Sequence, residues 1–416
     1  MSEIRQKSQL EFVAMMAALM SIVALAIDAL LPALDIIGFH VGTENPSDNQ
    51  LFIIMIFLGL GLGPLLFGPL SDSYGRKPIV YMGFGLFVIA SFICVSTDNL
   101  YVMIFGRILQ GIGLSAPRTI AIAIIRDLYS GDYMARIMSF VTVVFLLVPI
   151  VAPAFGKLIL DNYNWKAIFY FQLVIGSLVC MWFYFRQPET LKLENKIPMS
   201  KMLFIDGFKE LSKFPVTIGC TVISGLIAGS FFVYLSGSQQ IFQAQYGLKD
   251  AFPYIFAGLS IAIGLAVFSN AQMVLRFGME RLVTWALIAF FGISFSYVLV
   301  FAGSTENPSI TVLLAFMSLQ FLCIGFLFGN LRALAMEPVG HIAGIAAAIT
   351  GFISTIMAVP ISTFIGRYLK DTAMPVFVGF SLCSLIALLI LFYLKRKNPQ
   401  GLSKPKPTDA LSAHDQ

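Results

Sequence analysis

Twelve long apolar runs occupy most of this 416-residue chain, and they constrain its fold more than any other feature. Each is long enough to cross the hydrocarbon core of a bilayer as a helix, which takes about 20 residues. The runs are continuous and too long for strands, so they predict helices. The predicted spans are 11–38, 49–70, 78–97, 100–127, 134–160, 165–186, 214–243, 251–275, 280–303, 308–336, 340–370 and 372–394.

Composition agrees with a lipid environment. Only 12% of the residues are charged and 58% are hydrophobic, whereas a soluble domain carries roughly 25% charged residues. No basic run is dense enough for a nucleic-acid surface. The sequence therefore predicts an all-α membrane protein that does not bind nucleic acid.

The distribution of Lys and Arg predicts the orientation. Twelve spans place both termini on one side, and positive residues favour cytoplasmic segments. With cytoplasmic termini, 19 of the 27 Lys and Arg residues fall in cytoplasmic segments, five fall in outer segments, and three lie inside spans. A frame shifted by one helix would destroy this bias, so we expect both termini in the cytoplasm.

The longest polar interruption, 187–213, divides the chain into a six-helix half over 1–186 and another over 214–395. We expect 187–213 to be a cytoplasmic linker and 396–416 a cytoplasmic tail. Two six-helix halves with a binding site between them near the midplane is the architecture of a large class of secondary transporters.

An internal repeat supports this division. Gly75-Arg76-Lys77 follows the second span, and a basic segment from Arg276 to Arg281, containing Gly278, follows the eighth. Gly75 and Gly278 are separated by about half the chain. The repeat predicts two pseudo-symmetric halves.

A motif closes the second span on the cytoplasmic side. Gly68, Asp72, Gly75, Arg76 and Lys77 fit the pattern G-x-L-x-D-x-x-G-R-K/R. Gly75 permits a tight reversal, and we expect Asp72 to accept backbone N–H groups from a neighbouring helix N-terminus. This segment resembles the signature loop of the major facilitator superfamily. The resemblance implies a loop that locks the outward-open state by bridging to the eleventh span.

Further segments extend the resemblance over nearly the whole chain. The run from Arg107 to Gly113 is similar to the family's R-x-x-Q-G-x-G segment. Pro149, Pro153 and Gly156 loosely resemble the helix-packing motif of its twelve-helix drug:proton antiporter branch.

Local stretches more narrowly resemble the Bcr/CflA drug-resistance subfamily. They are Asp28–Pro32, Arg126–Tyr129, Tyr234–Ser238 and Ala343-Gly344. The chain departs from that pattern where Gln239-Gln240 replaces the usual proline, and substrate selection could differ there.

Asp28 is the only acid deep within a predicted span. An ionised side chain at a helix centre costs about 2.5–3.5 kcal/mol on insertion scales, so it is usually functional or paired. We predict that Asp28 couples transport to protons, with a structural ion pair as the alternative. The resemblance implies that Arg107 assists proton transfer near this acid. Asp35, two turns further along the first span, is expected at the outer mouth.

Arg118 follows Arg107 by close to three helical turns, so both face the same direction. Arg118 could attract an anionic substrate or pair with an acid on the cytoplasmic side. Arg332 and Glu337 in the tenth span predict a cytoplasmic gate held by ion pairs, with substrate contact as the alternative.

Further candidates for the substrate cavity are polar side chains in the seventh and tenth spans. Gln239 and Gln240 could line the pore or belong to an interfacial exit. The remaining two candidates are Tyr234 and Asn330.

Enzymatic interpretations find little support. The three histidines are far apart, no metal-ligand cluster is present, and no G-x-x-x-x-G-K-S/T loop for ATP occurs. We expect no enzymatic activity, no metal and no cofactor, with the proton gradient as the energy source.

Together these features predict proton-coupled efflux of small amphipathic compounds by a monomer in the bacterial inner membrane. Its partners would be the small-molecule substrate, protons and the lipid bilayer. Two alternatives remain open, namely transport of one specific metabolite or siderophore, and a non-transporting membrane sensor.

Overall fold

A computed structural model describes residues 8–192, 194, 196, 202–398 and 402. All the regular secondary structure in this part of the chain is helical. Twelve helical stretches are long and apolar enough to cross a membrane. The predicted tail 396–416 lies outside the described residues beyond Asn398, apart from Leu402, and so do several linker residues between 193 and 201.

The helices follow one another with short connections. They are α1 (Gln9–Asp28), α2 (Leu34–His40), α3 (Leu51–Tyr74), α4 (Arg76–Ser96), α5 (Leu100–Leu128), α6 (Gly131–Asn162), α7 (Trp165–Arg186), α8 (Met202–Ser212), α9 (Pro215–Gln239), α10 (Phe252–Phe277), α11 (Met279–Phe301), α12 (Ile310–Met336), α13 (Ala343–Gly366) and α14 (Met374–Lys397).

The predicted spans are confirmed in number, and two of them differ in form. The first, 11–38, is interrupted after Asp28 by a 3-10 turn and continues as α2. The seventh leaves α-helical geometry at Gln240 and ends in a π-helical turn to Gln245.

The predicted linker contains a helix that the sequence analysis missed. In α8, Leu211 is buried with Ile349 of α13, and Gly207 lies against Ile345 of the same helix. Its apolar side therefore packs on the cytoplasmic part of α13. The boundaries of the two halves at 187–213 stay a prediction.

Small residues let α5 pack closely against α3 and α4. A Cβ atom on Gly111 would lie 2.1 Å from the carbonyl oxygen of Ile56, and one on Gly59 would lie 2.1 Å from that of Ile108. A Cβ atom on Gly113 would lie 2.7 Å from the carbonyl oxygen of Gly83. The glycines of the R-x-x-Q-G-x-G segment therefore fix the positions of α3 and α4 around α5.

The halves meet along α3 with α13 and along α6 with α10. At the outer ends, α9 also contacts the 3-10 turn after α1 and the one before α3. In the described part of the chain, α5 and α12 do not form a comparable contact. The ends that the sequence predicts to be outer are joined by these contacts, and we call the separation between α5 and α12 at the ends predicted to be cytoplasmic the cytoplasmic opening.

Gly111→Val should destabilise the protein, because the added side chain has no room against the backbone of α3. Overpacking in a tight core typically costs about 1–3 kcal/mol. Thermal unfolding in detergent measures the effect. Gly258→Val in α10 is the matched control, because a Cβ atom there meets open space. Equal melting temperatures for the two variants would contradict the close packing of α3 on α5.

Candidate functional site

The site is built around the break at the end of α1. Pro32 has no N–H group and cannot donate to the carbonyl of Asp28. The N–H of Leu30 donates to Ile27 at 3.3 Å, one residue later than an α-helix requires. The carbonyl of Ala26 is thereby left without its helical donor, and the helix ends at Asp28.

Arg107 of α5 supplies the donor that Ala26 lacks. Its Nη2 donates to the Ala26 carbonyl at 3.2 Å, and its Nε donates to the Phe52 carbonyl at 2.7 Å. Nη1 donates to Oε1 of Gln110 at 2.7 Å, and Gln110 donates to the Ser91 hydroxyl at 2.7 Å. Arg107 is fully buried, so this single side chain joins α1, α3 and α5.

Asp28 lies at the same break but takes no part in that network. Its side chain is only 5% exposed, and it forms no hydrogen bond or ion pair with the described residues. Arg107 bonds to the backbone carbonyl of Ala26, two residues before Asp28, and it forms no salt bridge with Asp28 itself. A direct role for Arg107 in proton transfer stays a prediction.

Tyr234 of α9 faces Asp28 from the other half. The two groups are close enough to interact electrostatically, and the Tyr234 hydroxyl is buried without a hydrogen-bond partner among the described residues. Its ring packs edge-on against Phe321 at 4.5 Å and is stacked with Phe256 at 6.2 Å. Aromatic packing thus fixes a phenol within electrostatic range of the free carboxyl.

The proline-glycine motif of α6 also packs on this break. A Cβ atom on Gly156 would lie 1.9 Å from the carbonyl oxygen of Ala29. Pro153, one turn earlier, is buried, and Pro149 is half-buried. The motif therefore brings α6 against the backbone next to Asp28.

A second polar cluster lies at the cytoplasmic end of α3 and α4. Gly75 joins the two helices with φ 112°, in the left-handed region that favours glycine. Arg76 is 3% exposed and donates to both carboxylate oxygens of Asp127, at 2.9 and 3.2 Å. It also donates to Asp72 at 2.5 Å and to Ser71 at 2.8 Å.

One expectation for this cluster differs from what is seen, and another is not tested. Asp72 accepts from Arg76 and not from a neighbouring helix N-terminus. Arg76 is bound to Asp127 at the end of α5, and the bridge from the signature loop to α13, which the resemblance implies for the outward-open state, stays a prediction. Gly68 has open space beside it, and Lys77 donates to the Tyr184 carbonyl at 3.2 Å.

Glu189 completes the cluster and was not predicted as a functional residue. Its carboxylate accepts the backbone N–H groups of Arg76 at 2.9 Å and Lys77 at 3.0 Å, and so caps α4. Partial burial raises the pKa of Glu189, but these bonds and those from Leu191 and Thr190 outweigh it and hold the pKa below its usual value. The distance in sequence between Glu189 and α4 hid this contact.

Arg118 of α5 and Arg332 of α12 face each other across the cytoplasmic opening. Arg118 is half-buried and Arg332 is exposed, and their positive charges are close enough to interact. Neither has a hydrogen bond or ion pair with a described residue. The predicted ion pair between Arg332 and Glu337 is not formed here, and Oε2 of Glu337 is buried without a partner among the described residues.

Asn330 does not line the opening. It is 3% exposed and donates to Asn270 of α10 at 2.6 Å and to the Phe326 carbonyl at 2.9 Å. The pair Asn270–Asn330 holds α10 and α12 together within one half.

Gln239 and Gln240 lie in the outer closure. Gln239 donates to Asp35 at 2.6 Å, and Gln240 donates to the Leu369 carbonyl. Gln50 donates to Gln240 at 3.0 Å and to the Gly366 carbonyl at 3.3 Å. These bonds join α2 and the start of α3 to α9 and the end of α13, so the two glutamines seal the outer side.

A phenylalanine pair lies one layer further inward. The rings of Phe57 on α3 and Phe232 on α9 are stacked with centroids 4.0 Å apart. Phe57 follows Gln50 by two helical turns. The outer closure thus has an amide layer backed by an aromatic one.

Within the described residues, no group of three or more His, Cys, Asp or Glu side chains has the arrangement of a metal site.

Comparison with known proteins places this geometry in a family. The family model of the Major Facilitator Superfamily matches residues 13–360. The chain belongs to this superfamily. Two solved structures share its fold: the human organic anion transporter MFSD10, with TM-score 0.66, 16% identity and 93% and 100% of the two chains covered, and a D-xylose–proton symporter, with TM-score 0.70, 14% identity and coverage of 92% and 97%.

Curated relatives in the superfamily are similar over most of their length. A bicyclomycin resistance protein homolog of Haemophilus influenzae is 27% identical over 406 residues, which are 95% of this chain and 98% of the relative. The MFS-type transporter YdgK of Bacillus subtilis is 29% identical, covering 90% and 92%. The multidrug resistance protein MdtL of Klebsiella pneumoniae is 26% identical, covering 88% and 91%.

Glu189→Gln should destabilise the protein at neutral pH, because the carboxylate receives several backbone N–H groups. A loss of about 1 kcal/mol is expected, at the low end for charged hydrogen bonds because water screens this exposed group. Folding lowers the pKa of Glu189. The contribution of Glu189 to the free energy of unfolding is therefore complete above its pKa in the unfolded chain, and it is lost as pH falls through its pKa in the folded protein.

Thermal unfolding in detergent at a series of pH values tests this expectation. The difference between wild type and Glu189→Gln should shrink as the solution is acidified below pH 4.5, the ordinary value for glutamate. Glu44→Gln, in the exposed outer loop, is the matched control. A difference that does not change with pH would contradict the capping role.

Proposed function

We propose that this transporter exports small amphipathic compounds from the cytoplasm in exchange for protons, by alternating access of its two halves. The observation that carries the proposal is the free carboxyl of Asp28, buried at a helix break and facing Tyr234 of the opposite half. Ionisable groups in the membrane interior are expensive and mark ion or proton pathways.

The position of Asp28 suits a proton carrier. A charged carboxylate without a partner is costly away from water, and binding of a proton removes that cost. Tyr234 belongs to the other half, so the surroundings of the carboxyl change when the halves move. The proton is then held in one arrangement of the halves and released in the other, which is the coupling that exchange requires.

The open side of the structure supports loading from the cytoplasm. The amides of Gln50 and Gln240 and the rings of Phe57 and Phe232 close the outer side. The proton gradient supplies the work, since one charge crossing about 100 mV yields about 2.3 kcal/mol. That energy sustains a concentration ratio of about 50-fold.

An aromatic cluster supports amphipathic cargo. The ring centroid of Phe231 lies 5.8 Å from those of Phe321 and Phe328 and 6.2 Å from that of Tyr234. Aromatic surfaces bind apolar groups by area and shape rather than by fixed hydrogen bonds. The names of the relatives, a bicyclomycin resistance homolog and multidrug resistance proteins, support drug-like compounds as substrates.

The same proposal covers the membrane location, the orientation, the oligomeric state and the cofactor requirement of the protein. The protein acts as a monomer in the bacterial inner membrane with both termini in the cytoplasm, and it needs no cofactor. The excess of Lys and Arg in the predicted cytoplasmic segments supports this orientation.

Transport of one specific metabolite is a second candidate. Arg118 and Arg332 favour it, because two unpaired cations at the cytoplasmic opening suit a defined anionic group more than a range of cations. Resistance to many unrelated compounds on overexpression supports the first candidate, whereas a phenotype for a single nutrient supports the second.

Asp28→Asn should abolish proton-driven transport, because asparagine cannot bind and release a proton. In liposomes with an imposed pH gradient, wild type should accumulate the anionic dye fluorescein against its concentration gradient and release protons when the dye is added. The variant should still exchange the dye down its gradient but should release no protons.

Asp48→Asn in the outer connection is the matched control and should behave as wild type. Accumulation and proton release by Asp28→Asn at wild-type levels would remove Asp28 from the proposal. Retained folding is checked by the thermal unfolding of both variants in detergent.

A further inference from the structure

Two arginines lie on helices that must approach each other during transport. Arg118 is ten residues from the cytoplasmic end of α5, and Arg332 is four residues from the end of α12. The two helices belong to opposite halves and are not packed together here. Any arrangement that closes the cytoplasmic side brings α5 towards α12, and with them the two guanidinium groups.

Both arginines are surrounded by protein and yet reachable by solvent. Arg332 has an exposed side chain although protein lies around it on nearly all sides, and the half-buried Arg118 is enclosed to a similar degree. This combination places the pair on the wall of the opening and not on the lipid-facing surface. Lipid would reject an arginine that had no polar contact.

No acid neutralises the pair. Other buried arginines of this chain are fully engaged: Arg76 is bound to Asp127 and Asp72, and Arg107 is bound to two carbonyls and Gln110. Arg118 and Arg332 have no such partner among the described residues. Glu337, the nearest acid along α12, forms no ion pair with Arg332.

Two like charges that approach in a protein interior repel each other strongly, since the local dielectric is low. Closure of the cytoplasmic side is therefore opposed while the opening contains only the two arginines. An anionic group between them reverses the sign of this interaction, because guanidinium groups bind carboxylate, phosphate and sulfonate oxygens in a bidentate way.

We propose that Arg118 and Arg332 form a clamp for the anionic group of an amphipathic substrate, and that this group permits the cytoplasmic side to close. This inference rests on the proposed export function and specifies its substrate class as organic anions. The clamp binds the charged end of the substrate, and the aromatic cluster around Tyr234 receives the apolar end.

Binding of two dyes with the same ring system tests the clamp. Fluorescein is anionic and rhodamine 6G is cationic at neutral pH. Fluorescence anisotropy with the full-length protein in detergent should show that Arg118→Gln and Arg332→Gln each weaken fluorescein binding about tenfold or more, as expected for a lost charged hydrogen bond. Rhodamine 6G binding should be unchanged or tighter.

Three further variants separate the clamp from a general effect of positive charge at the cytoplasmic side. Arg276→Gln at the cytoplasmic end of α10 removes the same charge elsewhere and should leave fluorescein binding unchanged. Arg118→Lys should restore part of the affinity. The double variant Arg118→Gln/Arg332→Gln should lose less than the product of the single losses, because both groups act on one ligand.

A cytoplasmic gate made of ion pairs is the main rival. In that case Arg118→Gln, Arg332→Gln and Glu337→Gln would change transport of both dyes to the same degree, and this result would overturn the clamp. It is also overturned if wild type binds rhodamine 6G but not fluorescein, or if the single variants bind fluorescein as wild type does.

Failure of the clamp and failure of the export function are distinguishable. Asp28→Asn should bind fluorescein with wild-type affinity, because Asp28 is not part of the clamp, but should not accumulate it with a proton gradient. Proton-driven accumulation by Asp28→Asn would refute the export mechanism while the binding data still decide the clamp.

Discussion

The hydrogen bond from Arg107 to the carbonyl of Ala26 is the interaction on which the arrangement of the site depends. A helix that breaks inside a membrane leaves backbone groups without donors, and lipid cannot replace them. Pro32 cannot donate to the Asp28 carbonyl, and the Leu30 N–H bonds to Ile27. The buried guanidinium of α5 satisfies the Ala26 carbonyl that is left without its helical donor. The cost of burying one arginine is thus offset by the backbone bonds that it forms on α1 and α3.

In the same arrangement, the carboxyl of Asp28 forms no ion pair with a described residue. Arg107 is engaged by two carbonyls and by Gln110, and it forms no ion pair with Asp28. A carboxyl locked in such a pair would keep its charge throughout and would not exchange a proton. Rigid packing of Gly111, Gly59 and Gly156 holds the surrounding backbone in place, so the side chain of Asp28 is the group left to respond.

The sequence revealed what depends on local properties. Hydropathy located the twelve spans, and the expense of a charge in a membrane singled out Asp28, Arg107, Arg118 and Arg332. It could not reveal what depends on contacts between distant segments. Glu189 caps a helix 113 positions away in the chain, and Asn330 is taken up by Asn270 of a neighbouring helix.

Gln239 and Gln240 show a different limit. Their apolar surroundings predict a membrane position, but their depth depends on where the first span breaks and on the π-helical turn that follows α9. Those features bring Asp35, Gln50 and the end of α13 to the same level and convert two candidate cavity residues into part of a seal. The depth of these side chains in the membrane results from the packing of one half on the other, so the hydrophobic periodicity of the sequence does not reveal it.

The polar groups along the passage differ in kind from one end to the other, and the difference has a physical consequence. The outer seal combines neutral amides bonded to each other and to carbonyls with two carboxylate contacts, from Gln239 to Asp35 and from Lys157 to Asp250. Such bonds separate at modest cost once water enters, because water replaces each of them. The inner end contains two unopposed cations, which water solvates well when the side is open but not when it is closed. In the proposed clamp mechanism, the outer side opens and closes without a charged ligand, whereas the inner side closes on an anionic one, and this asymmetry gives the passage a direction for loading.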